Sequence, residues 1–133
     1  MLPLNLHHTA IAVHDLDATL RSLVELFGVE PLTREVVVEQ GVEEAMVPFG
    51  GSYLQVLMPL GPDTAVGRFL DRRGEGLHHI GYRVRDCAEA LASMVAAGAT
   101  PIDEVPRPGS RGTTVAFVHP KGSFGTLIEL VQV

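Results

Sequence analysis

Alternating strands that lead into amphipathic helices occur twice along this chain. Residues 6–13 have an alternating pattern and lead to Asp15, which can cap a helix. Apolar residues then recur at helical spacing until Gly28, where a left-handed C-cap is favoured. Residues 77–84, followed by Asp86, repeat this pattern. Each half of the chain is therefore predicted to begin with a strand and a helix.

Short runs bounded by glycine or proline follow each predicted helix and are typical of strands. In the first half they are residues 36–39, 43–49 and 52–58, and in the second half they are residues 101–104, 113–119 and 126–131. Each half is thus predicted to form a βαβββ module. A connector at about residues 61–74, with a short helix over about 63–72, separates the two modules.

The two halves also match residue by residue, which indicates an internal duplication. LHHTAIAVHD at 6–15 aligns with LHHIGYRVRD at 77–86, so that His8 and His79 occupy equivalent positions 71 residues apart. A module of about 55 residues is too small to be comfortably stable alone, so the two are expected to pair. We predict an α+β fold and a single domain over residues 1–133, with module 1 at about 5–60 and module 2 at about 75–133.

Strand alternation places the equivalent histidines on a face that has small neighbours. His8 shares its face with Ala10 and Ala12, while the bulkier side chains of the strand lie on the face that packs against the helix. His79 lies beside Gly81 in the same way. Small residues beside a polar side chain leave space, as expected where a concave face lines a cavity.

Each module also carries an oxygen donor on its last strand. Glu129 lies among aliphatic residues, where an unpaired carboxylate would be very costly, and Gln55 has the corresponding place in module 1. A lone strand histidine is more often structural than a ligand, but its duplication favours a metal site. Two imidazoles, an amide oxygen and a carboxylate suit a divalent ion such as Co, Ni, Zn or Mn. The predicted ligands are His8, Gln55, His79 and Glu129.

The composition narrows the classes of function. The chain has 133 residues, 46% of them hydrophobic, and a formal net charge of −6. Binding to nucleic acid is disfavoured, because it needs clustered basic residues. No apolar stretch approaches the length of a membrane span, and the N-terminus lacks the features of a signal peptide, so we expect a cytoplasmic protein that does not contact a membrane. The single cysteine, Cys87, fits a reducing compartment.

Six motifs are spread over nearly the whole chain. They are HHTAIAV near the start, EQGVEEAMVP at 39–48, YLQVLMPL at 53–60, GEGLHHIGYRV at 74–84, DEVPRPGSRG at 103–112 and FVHPKGSFGTLIELV at 117–131. Together they resemble the vicinal oxygen chelate (glyoxalase/bleomycin resistance) superfamily, and most closely its methylmalonyl-CoA epimerase family. This resemblance implies a glyoxalase-like fold, in which two tandem βαβββ modules form a curved mixed sheet around a metal-binding cleft.

The same resemblance implies a metal-dependent epimerase that interconverts (2R)- and (2S)-methylmalonyl-CoA by proton abstraction at C2 through a metal-stabilised enolate. It places the metal ligands at His8, Gln55, His79 and Glu129, in agreement with the repeat. It places two catalytic carboxylates at Glu44 and Glu129, although a strand shifted by one residue would exchange Glu44 for Glu43. An acyl-CoA substrate and a homodimer are also implied.

The chain departs from many members of that family at two places. His7 precedes the first ligand, where Asp is common, and Leu23-Val24 stand where the first helix often carries two aromatic residues. Strand alternation places His7 and its counterpart His78 on the face opposite the ligands. We expect these two histidines to support the site or the packing.

Two other functions remain open from the sequence. One is a glyoxalase I-like lyase with a similar ligand set, and the other is a non-catalytic, small-molecule-binding protein of the same fold, such as a resistance protein. Bound metal would separate the binding protein from the enzymes. Arg107, Arg111 and Lys121 lie in glycine-containing loops of module 2, where they could meet CoA phosphates or remain solvated.

Overall fold

Two compact units make up this computed structural model, which describes residues 3–121 and 124–133. The first unit spans Thr9–His78, and the second combines the N-terminal segment through His8 with the segment from His79 onward. The units therefore differ from the two sequence repeats, since the first strand contributes to both. The single domain built of modules 5–60 and 75–133 stays a prediction. Gly122 and Ser123, within the last sequence motif, lie outside the described residues.

The described residues form eight strands and three helices, and the order βαβββ occurs twice. The strands are β1 (Asn5–Ala12), β2 (Thr33–Val37), β3 (Val42–Phe49), β4 (Ser52–Pro59), β5 (Gly76–Arg83), β6 (Arg107–Pro108), β7 (Thr114–Val118) and β8 (Leu127–Gln132). The helices are α1 (Leu16–Phe27), α2 (Ala65–Arg73) and α3 (Cys87–Ala96). Among the described helices, none has the length and apolar character needed to cross a membrane.

The strand pairing is mixed, with both antiparallel and parallel pairs. Parallel neighbours need a crossover connection, which includes a helix here. In the first unit β2, β3 and β4 pair antiparallel, and β1 lies next to β4. In the second unit β5 pairs parallel with β8, which pairs antiparallel with β7, and β7 pairs with β6. The start of β1 lies next to β5, where Leu4 N donates to Arg83 O at 2.8 Å. This confirms the predicted α+β class.

Helix α1 begins and ends at the residues that the sequence pattern predicts. The Asp15 carboxylate accepts a hydrogen bond from Ala18 N at 3.0 Å, and Gly28 closes the helix with φ 67°. Its apolar stripe packs against one face of β3 and β4, and this core contains Val13, Leu16, Leu20, Leu23, Ala45, Val47 and Val56. The alternate residues of β3 and β4 project from the opposite face, which does not contact α1.

Helix α3 repeats this arrangement in the second unit. The Asp86 carboxylate accepts a hydrogen bond from Glu89 N at 3.0 Å and caps the helix, as the sequence pattern predicts, and the helix ends at Ala96. The core against β8 contains Val84, Cys87, Ala90, Leu91, Ala116, Val118, Ile128 and Leu130. Burial raises the pKa of the Cys87 thiol to about 11, so this cysteine is a packed residue and not an activated nucleophile.

One predicted strand, at residues 101–104, is wrong. Only an isolated bridge joins Pro101 to Val118, and the edge strand lies further on at Arg107–Pro108. The Asp103 side chain accepts from the main-chain N of Phe117 at 2.9 Å. Because this side chain replaces a carbonyl as acceptor, regular pairing stops there. The predicted strand at 36–39 is shifted, since Val38–Gln40 form a 3-10 turn before Gly41.

The α1 interface provides a test of the packing. Leu16 is fully buried, whereas Leu26 on the same helix is 74% exposed. We expect Leu16→Ala to lower the free energy of unfolding by about 2–5 kcal/mol, because it leaves a cavity. Leu26→Ala should change it by less than about 0.5 kcal/mol. Urea denaturation followed by circular dichroism measures both, and equal effects would contradict the packing described.

Candidate metal centre

Three buried side chains of the second unit converge on one point. His8 Nε2 lies 3.0 Å from His79 Nε2. The carboxylate Oε2 of Glu129 lies 3.0 Å from His79 Nε2 and 3.7 Å from His8 Nε2. All three residues are at most 5% exposed. The structure thus brings together three of the four ligands that the repeat predicts, and we call them the His-His-Glu cluster.

Strand register explains why these side chains share a face. Gly81 on β5 is the register partner of Glu129 on β8, so His79, two residues before Gly81, points to the same side as Glu129. The missing side chain at Gly81 makes room for His8, because a Cβ built there would overlap its imidazole ring. The expectation that small residues leave space beside the histidines is therefore confirmed at Gly81.

Glu129 lies in apolar surroundings, as predicted. The neighbours on its side of β7 and β8 form a small apolar cluster of Val115, Phe117, Leu127 and Val131. Burial would raise the pKa of Glu129, but the contact with His79 at 3.0 Å, together with the nearby His8, outweighs burial and holds that pKa well below its usual range. The carboxylate is therefore ionised at neutral pH, within reach of both rings.

Burial lowers the pKa of His79, against the opposing pull of the Glu129 carboxylate. A neutral imidazole and an ionised carboxylate are the forms that bind a metal ion. The spacing of the donor atoms also fits such an ion, because two bonds of about 2.1 Å at a right angle have ends about 3.0 Å apart. The donor chemistry and geometry of the His-His-Glu cluster therefore suit a divalent metal.

His7 contacts the cluster from the neighbouring position on β1. Its Nδ1 lies 2.8 Å from Nδ1 of His8, with the two ring planes at 84°. Burial, with a smaller contribution from His8, lowers the pKa of His7 to about 4. His7 is therefore neutral at physiological pH. The expectation that it supports the site is consistent with this contact, which alternation alone could not reveal.

Phe117 is a neighbour of the cluster that the sequence interpretation missed. Its ring meets the His79 ring edge-on, with centroids 5.4 Å apart. The Arg107 guanidinium lies 5.5 Å from the centroid of Phe117, and Asp103 holds Arg107 Nε at 3.2 Å. No pattern along the sequence indicated this contact, because it depends on the β7–β8 register that makes Phe117 the partner of Glu129.

Gln55 and Glu44, the other predicted site residues, belong to the first unit. Gln55 pairs with Met46 and Glu44 with Leu57 in the β3–β4 ladder, so both project from the same face, opposite to α1. Glu44 is fully buried and Gln55 is 3% exposed. Within the described part of the chain, Oε1 of Gln55 is buried and makes no hydrogen bond. An oxygen in that condition is suited to a ligand.

The register of β3 distinguishes the two adjacent glutamates. Glu43 projects from the face opposite to Glu44 and accepts a hydrogen bond from Arg34 Nε at 2.8 Å. Arg34 also binds Asp17 on α1, and this contact lowers the pKa of Asp17. Glu43 is thus engaged in a surface ion-pair network, whereas Glu44 is the buried carboxylate.

Gly81 gives a direct test of the cluster geometry. In Gly81→Ala the added methyl group should displace the His8 ring and weaken binding of Co²⁺ by at least about tenfold, as measured by competition with a chelator. Gly51→Ala is the control, because a Cβ at Gly51 meets nothing within 4 Å. A folded Gly81→Ala protein with unchanged Co²⁺ affinity would show that the His8 ring does not need this space.

Comparison with known proteins places the chain in a family. The model of the Glyoxalase/Bleomycin resistance protein/Dioxygenase superfamily matches residues 7–117. The ethylmalonyl-CoA/methylmalonyl-CoA epimerase of Cereibacter sphaeroides is 34% identical over 130 residues, which cover 96% of this chain and 97% of that protein.

Solved structures agree with the sequence relatives. A Streptomyces coelicolor methylmalonyl-CoA epimerase variant in complex with 2-nitronate-propionyl-CoA has a TM-score of 0.95 and 39% identity, covering 98% of this chain and 95% of that one. A methylmalonyl-CoA epimerase in complex with methylmalonyl-CoA and NH4+ has a TM-score of 0.95 and 40% identity, with the same coverage. The predicted glyoxalase-like fold is confirmed. The chain therefore belongs to the Glyoxalase/Bleomycin resistance protein/Dioxygenase superfamily and, within it, to the methylmalonyl-CoA epimerase family.

Proposed function

We propose that this protein interconverts (2R)- and (2S)-methylmalonyl-CoA by moving the proton at C2. The observation that carries the proposal is the buried His-His-Glu cluster, in which His8, His79 and Glu129 direct three donor atoms at one point. Family membership supports the substrate, because relatives named as methylmalonyl-CoA epimerases align over nearly the whole chain. The His-His-Glu cluster thus supports the type of chemistry, and the family relationship supports the class of substrate.

The cluster is proposed to bind one divalent ion, which could be Co, Ni, Zn or Mn. When bound, such an ion would act as a Lewis acid for the thioester oxygen and the free carboxylate of the substrate. His8, His79 and Glu129 would hold it. Gln55 is proposed as the fourth ligand, on the basis of its place in the repeat and its buried, unbonded Oε1.

Two carboxylates are proposed to move the proton. Inversion requires a base on one face of C2 and an acid on the other, and a pair of glutamates can exchange these roles with the direction of reaction. Glu44 is the better candidate of the EE pair, since it is fully buried while Glu43 is bound to Arg34. Glu129 would serve as the second carboxylate while it also contacts the ion.

The acyl-CoA is proposed to meet the loop between β6 and β7. This loop borders a cavity of about 430 Å³ in the second unit, which Arg107, Gly109 and Gly112 help to line. Arg111 lies in the same loop, and Lys121 follows β7. Their positive charge would complement the CoA phosphates. A cytoplasmic location and a homodimer are proposed from the composition and the family resemblance.

Deuterium exchange at C2 tests the reaction, and conversion between the two epimers tests the role of Glu44. We expect the wild-type protein, loaded with Co²⁺, to incorporate deuterium from D2O into methylmalonyl-CoA, as followed by mass spectrometry. Glu44→Gln should bind Co²⁺ normally and convert one epimer of methylmalonyl-CoA into the other at least about 100-fold more slowly, because the amide cannot accept or return a proton on its face of C2. Glu43→Gln is the matched control and should keep nearly full activity.

The outcomes separate the competing functions. Epimer interconversion that is normal in Glu44→Gln and lost in Glu43→Gln would contradict the assignment within the EE pair. Wild-type protein that binds metal but does not exchange C2 would refute the epimerase proposal. Turnover of the methylglyoxal–glutathione hemithioacetal by that protein would favour a glyoxalase I-like lyase.

Removal of a ligand tests the metal site separately. We expect His79→Ala to lose stoichiometric Co²⁺ in dialysis and to lose C2 exchange with it, because one of the converging donors is gone. His14→Ala removes an exposed histidine and should change neither property. Full metal content in His79→Ala, measured by atomic emission, would exclude His79 as a ligand.

A further inference from the structure

We infer that His7 is a positioning residue, which holds His8 in the tautomer that can bind the ion. The inference rests on the proposed metal site. A neutral imidazole carries one hydrogen, so that one ring nitrogen donates and the other offers a lone pair. Nε2 of His8 faces His79 Nε2 at 3.0 Å and Glu129 Oε2 at 3.7 Å. To bind an ion there, His8 must carry its hydrogen on Nδ1.

Nδ1 of His8 has a partner at hydrogen-bond distance. It lies 2.8 Å from Nδ1 of His7, and the rings meet edge-on with centroids 5.1 Å apart. In the ligand tautomer His8 Nδ1–H donates and His7 Nδ1 accepts. Hydrogen bonds of this kind fix the tautomer and the ring orientation of histidine ligands.

The alternative tautomer would oppose metal binding. With its hydrogen on Nε2, His8 would direct an N–H group towards His79 and Glu129, in the place where a lone pair is required. An acceptor at Nδ1 makes this form less favourable. The lack of a side chain at Gly81 makes room for the His8 ring, and His7 lies at hydrogen-bond distance from its Nδ1, where it can specify the hydrogen position.

An imidazole at position 7 is an ambivalent partner, because it can accept or donate through Nδ1. A carboxylate can only accept at neutral pH. The Oδ1 of Asp or Asn is separated from the main chain by the same number of bonds as Nδ1 of His. We therefore expect His7→Asp to bind Co²⁺ at least as tightly as the wild type, and His7→Asn to remain close to it.

The second copy of the repeat shows that the first histidine of each pair does not always contact the second. His78 is the counterpart of His7 in the second copy of the motif. Its ring lies 4.8 Å from the ring of Phe69 on α2, and Arg73 lies 5.9 Å from the centroid of the same phenylalanine. The two copies have thus diverged, with His78 packed on a helix and His7 bonded to a site histidine.

Co²⁺ affinity and the visible absorption spectrum of the bound ion test the inference. His7→Leu puts a methyl group in place of Nδ1 and should weaken Co²⁺ binding by about 10–100-fold in chelator competition. It should also alter the d–d absorption bands, because the His8 ring is no longer held in one orientation. His7→Asn and His7→Asp should restore both. His14→Leu, at an exposed histidine, controls for non-specific metal binding.

The possible results distinguish failure of the inference from failure of the metal site or of the proposed reaction. Wild-type affinity and spectrum in His7→Leu would overturn the inference. A loss that neither Asn nor Asp restores, with a lower midpoint of thermal unfolding, would also overturn it and assign His7 to packing. Wild-type protein that binds no Co²⁺ would refute the metal site and the inference together. Wild-type protein that binds Co²⁺ without C2 exchange would refute the proposed reaction alone.

Discussion

A buried carboxylate that contacts two imidazoles is the constraint on which the second unit depends. Glu129 is placed by β8 among aliphatic and aromatic side chains, and removing water from an isolated charge there would cost several kcal/mol, so it must be compensated. His79 Nε2, which lies 3.0 Å from the carboxylate, provides part of that compensation within the protein. A bound dication would compensate the negative charge of Glu129 more completely. The buried carboxylate is therefore also suited to bind a metal ion.

The rest of the local architecture follows from keeping these atoms together. Parallel pairing of β5 with β8 sets His79 beside Glu129, and the absence of a side chain at Gly81 allows the His8 ring to approach from β1. Phe117 packs against His79 and in turn lies against Arg107. Each contact is made by a residue whose backbone is fixed in the sheet. A site built on strands can hold its donor atoms to the tolerance that metal binding demands.

Duplication explains the symmetry of the chain, and divergence explains its chemistry. Both copies retain a histidine pair, an aspartate cap and a helix, because strand and helix must pack in each. The polar residues on the closing strands differ, with Gln55 in one copy and Glu129 in the other. The neighbouring histidines differ as well, since His7 contacts His8 whereas His78 contacts Phe69.

The amino-acid sequence by itself determined the βαβββ order, the helix caps at Asp15 and Asp86, and the association of His8, His79 and Glu129. The strand and helix order and the caps follow from patterns among neighbouring residues. The association of the histidines with Glu129 follows from the repetition of one motif in both halves of the chain. Only the tertiary structure decided that Glu44 is buried while Glu43 binds Arg34, that Phe117 lies against His79, and that residues 101–104 do not form a strand. Those outcomes depend on strand register and on contacts between distant segments, and a pattern along one strand contains neither.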